Sequence, residues 1–338
     1  MKALRYLAPQ LVKTEDIEPP VCAAGEALVR VHSAGICGSD MYIFSGKHPR
    51  AQAPLVMGHE FAGEIASINP GPGPTDLTVG DKVTAYPLLV CGRCWACRNG
   101  QAHVCRNLKL IGIDRDGAFA EYVNVPLELL FKLPPKLSYA KGALVEPLAV
   151  AWHALAMAGE PNWQTAVVIG SGPIGLLVGL CLQDVGIQNI IMSDINAHRL
   201  KRSARLGFQV FNSAAGDLAG LVDQVTDAEG ADVVFECAGS GAAALQMCQL
   251  VRPRGTVVVV STHKEPHGVD LQTVNFRELT VKGTRVYTPQ DYRKALDRAA
   301  DLPFTELVSH MLDLDRGSEG FQIMQQPEDV CKVLLNPE

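Results

Sequence analysis

The sequence predicts an α/β protein in two parts, one β-rich and built of short strands and loops, the other built on a doubly wound parallel sheet. Three observations carry this. Over the first 145 or so residues, β-rich runs such as ALVRVHSAG, FAGEIASI, DKVTAY and FAEYVNVP are separated by Gly and Pro punctuation. From about Thr165 the rhythm changes to strand alternating with helix. The run CGRCWACRNGQAHVC, residues 91–105, gathers four cysteines in a segment poor in core-forming residues.

The elements follow in order. NPGPGPTD, residues 69–76, is a turn-rich loop between strands of the first part. TAVVIG is a buried-strand run, followed by a glycine turn and a long apolar helix pattern. QNIIMSD is the next strand, and NAHRLKRSARLG an amphipathic helix. FQVFN, ADVVFECAG and GTVVVVS supply further strands with helical segments between them. After about Arg285 the chain reads as the helix DYRKALDRAAD and a closing strand CKVLLN. There is no internal repeat and no low-complexity segment.

A chain of 338 residues, 47% hydrophobic and 20% charged, suits about two domains with a sizeable core. A formal net charge of -6 argues against a nucleic-acid partner. No apolar run reaches the length of a membrane helix, and the first twenty residues lack the apolar core and cleavage site of a signal peptide. Of the ten cysteines, Cys181, Cys237, Cys248 and Cys331 lie in apolar runs that suit buried thiols, while Cys22 stands apart. A reducing, cytoplasmic compartment is expected.

Cys91, Cys94, Cys97 and Cys105 have the spacing C-x2-C-x2-C-x7-C. Four thiolates within reach of one centre suit tetrahedral zinc and leave no open position, so this site is expected to be structural. An iron–sulfur cluster also takes four thiolates, but no proline or further cysteine pair follows. Upstream, Cys37 in AGICGSD and His59-Glu60 in MGHEFAG offer thiolate, imidazole and carboxylate, a donor set that leaves room for a substrate oxygen. Glu146, in the apolar segment LVEPLAV, is a carboxylate that needs a partner, and a metal is one.

The strand TAVVIG runs into Gly170-Ser171-Gly172-Pro173-Ile174-Gly175, a G-x-G-x-x-G in the strand–turn–helix context that makes it a dinucleotide fingerprint. Gly170 suits the tight turn, Gly172 the approach of a pyrophosphate, and Gly175 the packing of the helix, whose N-terminus faces the phosphates. Asp194 ends the next strand, nineteen positions after Gly175. A carboxylate there accepts from ribose hydroxyls and repels a 2′-phosphate, so NAD is expected rather than NADP. Arg199 and Lys201 keep NADP open, and Asp194 also reads as a helix N-cap.

Taken in order, C-G-S-D, G-H-E, the four cysteines, V-E-P and V-x-G-x-G-P-I-G resemble the zinc-dependent medium-chain alcohol/polyol dehydrogenases over nearly the whole chain. AGICGSD, GHEFAGEI and CKVLL are similar to the sorbitol, L-idonate and L-galactonate dehydrogenase branch. The resemblance implies a GroES-like catalytic domain formed by residues 1–148 and 286–338, with a Rossmann domain, 149–285, between them and the active site in the cleft. It implies two zinc ions per chain, NAD as cofactor, and Cys37 and His59 as catalytic ligands with Glu60 or Glu146 as the third. Ser39 matches the hydroxyl that begins the family's proton relay. Many relatives carry a histidine five positions after the ligand cysteine; here that position is Tyr42, with either His48 in the same loop or water as the substitute.

The implied reaction is hydride transfer from a secondary alcohol to NAD. His48, Arg50 and Gln52 make the expected entrance polar, which favours a polyol or sugar acid. Arg115 or Arg285 would suit an aldonate carboxylate, unless they are surface charges or Arg285 contacts cofactor. The alternatives are a zinc dehydrogenase for a hydroxy amino acid such as threonine, or a non-catalytic zinc and nucleotide sensor. A sensor would show a lost ligand, and none is lost. Family members are commonly homo-oligomers, and the sheet edge before TVKGTRV is the candidate for pairing into a homodimer or homotetramer.

Overall fold

The computed structural model describes every residue except 161, 302, 327, 328 and 338, and only the backbone of 304 and 305. The chain divides into two compact units, Met1–Glu146 with Thr288–Glu338, and Pro147–Tyr287. The changeovers fall at 146/147 and 287/288, beside the 148/149 and 285/286 of the sequence reading.

In the first unit the long strand Glu26–Gly35 is the hub. Its alternate residues Ala27, Val29 and Val31 are fully buried, the period of two expected of a strand with one face on the core. It pairs antiparallel with Glu60–Asn69, Tyr122–Pro126 and Lys332–Asn336. Two pairings meet at its end, where Gly35 lies opposite Glu60 on one side and Leu334 on the other. Lys332–Asn336 also runs parallel to Val308–Asp313, joined through the helix Gly317–Gln325. The sequence reading had only the closing strand here. The polar alternation of Val308–Asp313 and the glycines of the helix weaken both signals. A three-stranded sheet of Lys2–Ala8, Leu11–Asp16 and Leu55–Val56 and the cysteine loop, with its short helix Trp95–Arg98, complete the unit.

The second unit is a six-stranded parallel sheet in the spatial order Gln209–Asn212, Asn189–Asp194, Thr165–Ile169, Ala231–Glu236, Val251–Val259, Thr280–Gly283. Thr165–Ile169 is buried along its whole length, as a strand covered on both faces must be. Val167, Ile191, Val234 and Val257 form the core with Leu218, Val222 and Met247 from the helical layer. The chain steps outward from Thr165–Ile169 in one direction, then returns to place Ala231–Glu236 on its other side. This reversal is the topological switch point, where open α/β sheets bind ligands beyond the strand C-termini. No helix among the described residues is long and apolar enough to cross a membrane.

Candidate metal and dinucleotide sites

Cys37 follows the end of the hub strand and caps the short helix Gly38–Phe44; Glu60 begins the neighbouring strand and His59 immediately precedes it. Their ligand atoms lie within 4.8 Å of one another. His59 and Glu60 are buried, as is Asp40, which accepts the Cys37 N–H at 2.8 Å and places its other oxygen 3.7 Å from His59 Nδ1. Ser39 Oγ is 3.5 Å from His59 Nε2. Burial alone would push the His59 imidazole down, but Asp40, Cys37 and Glu146 outweigh it and hold the group well above its ordinary value. Burial raises Asp40, partly offset by His59 and the Cys37 N–H.

The sequence reading missed Lys332. Its ammonium, 4% exposed, lies 2.7 and 2.6 Å from the two Glu60 oxygens and 3.3 Å from the Ile36 carbonyl. Burial would depress this amine, but Glu60 first, then Cys37 and Glu146, raise it. Gly35 makes the room: a Cβ there would collide with the Glu60 carboxylate. Glu146, on the first turn of the helix Val145–Ala158, is buried and acts electrostatically on His59 and Lys332. It is outside the cluster of three, which takes Glu60 instead.

His59 Nδ1 and Asp40 Oδ1 are buried without a hydrogen-bond partner. They face each other 3.7 Å apart, which leaves His59 Nε2 on the open side, and the gathered thiol, imidazole and carboxylate fit a zinc ion. The four-cysteine loop fits a second. All four sulfurs lie within 4.8 Å, with Cys94 3.5 Å from Cys97 and 3.8 Å from Cys105, close to the roughly 3.8 Å edge of a tetrahedron of Zn–S bonds. Backbone N–H groups of Cys97 and Arg106 pull the Cys94 thiol down to about 6, while burial foremost pushes Cys97 up to about 11.

The other predicted residues of the entrance separate. His48 Nδ1 accepts the N–H groups of Arg50 and Ala51 at 3.3 and 3.1 Å, leaving Nε2 to carry the proton of the neutral ring. Burial, then Arg50, lowers its pKa. Arg50 is held by the Leu108 carbonyl and Asp114, Gln52 is exposed, and the Tyr42 ring meets His48 edge-on at 6.0 Å. Arg115 does not serve a substrate carboxylate. It is bound to Glu26 at 2.8 Å and to the Asn124 carbonyl, at the start of the strand whose other end leads to Cys37, roughly 30 Å away at about 3.3 Å per residue. Arg285 is exposed in the second unit.

In that unit Gly170 has φ +101°, and a Cβ on it would lie 2.8 Å from the Ala238 nitrogen. Gly172 caps the helix Pro173–Asp184, with Pro173 at its first position and Ile174 partly exposed; a Cβ on Gly175 would collide with the Gly170 carbonyl oxygen. Asp194 accepts from the Ser171 and Asn196 N–H groups, each at 2.8 Å, and lies 3.6 Å from Arg199. The cap of the next helix is Asn196, whose side chain accepts from His198 and Arg199. Asp194 is therefore not the cap. A cavity of about 540 Å³ is lined by Gly170, Gly172, Asp194, Arg199, Cys237 and Ser240, among others. Backbone donors at a helix start, closely packed glycines and a carboxylate on the adjacent strand fit a dinucleotide.

Residues 23–135 match the family model of the alcohol dehydrogenase GroES-like domain, and residues 173–301 that of zinc-binding dehydrogenases. The 2-dehydro-3-deoxy-L-galactonate 5-dehydrogenase of Pseudoalteromonas atlantica is 40% identical, with 86% of each chain covered. The chain belongs to the zinc-dependent medium-chain alcohol/polyol dehydrogenases. This dehydrogenase is also similar to the L-threonine 3-dehydrogenase of Idiomarina loihiensis, at 30% identity over 99% of each chain. A solved zinc-binding dehydrogenase from Sinorhizobium meliloti, bound to NADP, superposes with a TM-score of 0.91 at 31% identity, again over 99% of each chain. As a zinc- and NAD-dependent dehydrogenase of this family, the protein acts on CH–OH donors, and its two parts are the GroES-like and Rossmann folds that the sequence predicts.

Proposed function

We propose that this dehydrogenase oxidises a secondary alcohol of a polyol or sugar acid at Cys37, His59 and Glu60. The observation that carries the reading is the convergence of these three donor atoms within 4.8 Å beside a serine hydroxyl. Bound zinc supplies a Lewis acid that lowers the pKa of an oxygen it polarises, from ~16 to ~7 for water, and NAD supplies the hydride acceptor. Cys37, His59 and Glu60 hold the metal, and Glu146 adds negative charge nearby. Asp40 orients His59. Ser39 Oγ takes the alcohol proton and passes it on to water, because His48, with its Nδ1 lone pair occupied by two backbone N–H groups and its Nε2 protonated, has no free lone pair to receive it. Gly170 to Gly175 and Asp194 hold the dinucleotide, and Arg199 lies beside them.

A sugar-acid substrate is favoured by the higher identity to the galactonate-type relative than to the threonine enzyme, 40% against 30%. The polar entrance residues His48 and Arg50 agree with it. Because Arg115 is committed elsewhere, Arg285 is the remaining guanidinium of the sequence reading for a carboxylate. The exposed strand Thr280–Gly283 at the end of the parallel sheet offers an edge for a second copy. A reducing compartment such as the cytoplasm suits ten cysteines that form no disulfide.

The test is elemental analysis with a substrate screen. The parent should hold two zinc ions per chain and reduce NAD with aldonates faster than with hexitols or threonine. Cys37→Ala should keep the fold and one zinc but lose turnover by about 10³-fold or more, the scale on which a catalytic Lewis acid acts. Cys94→Ala should instead lose the other zinc and melt at lower temperature. Equal activity and equal zinc content in both variants would refute the division.

A further inference from the structure

Glu236 ends the strand Ala231–Glu236 and is completely buried. Its carboxylate offers about four lone-pair sites, and four donors fill them. One oxygen accepts the N–H groups of Ala238 and Gly239 at 2.9 and 2.7 Å. The other accepts the Ser261 hydroxyl and, at 3.1 Å, His263 Nε2, which is also 3.2 Å from Ser261 Oγ. The Glu236 backbone carbonyl accepts from Val260 and Ser261. One residue therefore fastens together the loops that leave two adjacent parallel strands at the ligand-binding end of the sheet.

The first of these loops forms part of the cofactor wall. Cys237, Ala238 and Ser240 line the same cavity as Gly170, Gly172, Asp194 and Arg199, so this loop walls the adenosine side, and Ala238 packs against Gly170 with no space for a methyl group. Asp194 marks the adenosine side of the switch point. The other half of a dinucleotide extends past the switch, over the ends of Ala231–Glu236 and Val251–Val259. A buried carboxylate is costly to desolvate, and an apolar strand end would hold the sheet without it. What four saturated hydrogen bonds add is one fixed geometry. His263 is partly exposed, and its Nδ1 makes no hydrogen bond, so Glu236 and Ser261, both at Nε2, set which ring nitrogen carries the proton.

We propose that Glu236, Ser261 and His263 form a positioning network for the nicotinamide half of the dinucleotide, Glu236 holding the Ser261–His263 segment at the end of Val251–Val259 in the arrangement that half requires. The proposal rests on the dinucleotide site described above. It is tested by calorimetry on the zinc-loaded protein with two probes, NADH and ADP-ribose, the second lacking the nicotinamide ring. His263→Ala should weaken NADH about 5- to 20-fold, the scale of one lost charge-assisted hydrogen bond, with ADP-ribose changed less than about twofold. The fluorescence enhancement of bound NADH should fall with it. His263→Gln, whose amide donates to the same oxygen, should recover most of the affinity, and Ser261→Ala should repeat the NADH-selective loss. Parallel loss of both probes, or of neither, overturns the network. A parent protein that binds neither probe overturns the dinucleotide site itself.

Discussion

Glu60 and Lys332 are both out of water, so each depends on the other. Removing one partner of a buried pair typically costs about 3–5 kcal/mol, because the survivor is left as an uncompensated charge. Lys332→Met should therefore lower the melting temperature of the metal-stripped protein by about 6–20 °C at roughly 2–4 °C per kcal/mol. Added zinc should narrow the difference from the parent, since a cation gives Glu60 a new partner. If zinc does not narrow it, Glu60 is not a ligand. Asp194 stands in a different balance: it holds two backbone N–H groups and lies beside Arg199. Asp194→Gly removes the repulsion of a 2′-phosphate and releases the guanidinium to meet it. The ratio of kcat/KM for NAD over NADP should drop by about tenfold, the equivalent of one charge-assisted contact. A parent that prefers NADP would contradict the assignment.

At the scale of elements, Thr280–Gly283 pairs on one side with Val251–Val259 and, among the described residues, on that side only. Val281 is 40% exposed and carries no charge that would discourage another chain. In a two-fold pairing the same residue recurs on both sides, so Val281→Lys sets like charges against each other. Light scattering should find the variant at a smaller mass than the parent at the same concentration. A parent that is already monomeric would rule out this edge as an interface.

Across the whole molecule, the features legible in sequence were those that local spacing encodes. The four cysteines lie within fifteen residues, and the glycine fingerprint lies between a strand and a helix, so each site is assembled by short-range chain geometry. Cys37 and His59 were legible because each sits in a short run, AGICGSD and MGHEFAG, whose donor types suit a metal. Asp40, inside the quoted C-G-S-D, passed as part of a motif. Lys332 and Glu236 were missed, although each is a charged residue beside an apolar strand run, VLL and VVF. The rule that singled out Glu146, that a buried charge needs a partner, applies equally to them. Their partners are unreadable without the fold. Glu60 is 272 residues from Lys332, and Ser261 and His263 meet Glu236 only through parallel strand pairing.

That separation has a consequence for biosynthesis. At about 5–20 residues per second a ribosome emits Lys332 about 14 to 54 s after Glu60. Throughout that interval the nascent sheet lacks the strand that flanks Gly35, and the Glu60 carboxylate has no ammonium counter-ion. The cysteine loop, complete by residue 105, can capture its ion early, whereas the Cys37 centre reaches its finished electrostatic setting only after the intervening nucleotide-binding unit has been made.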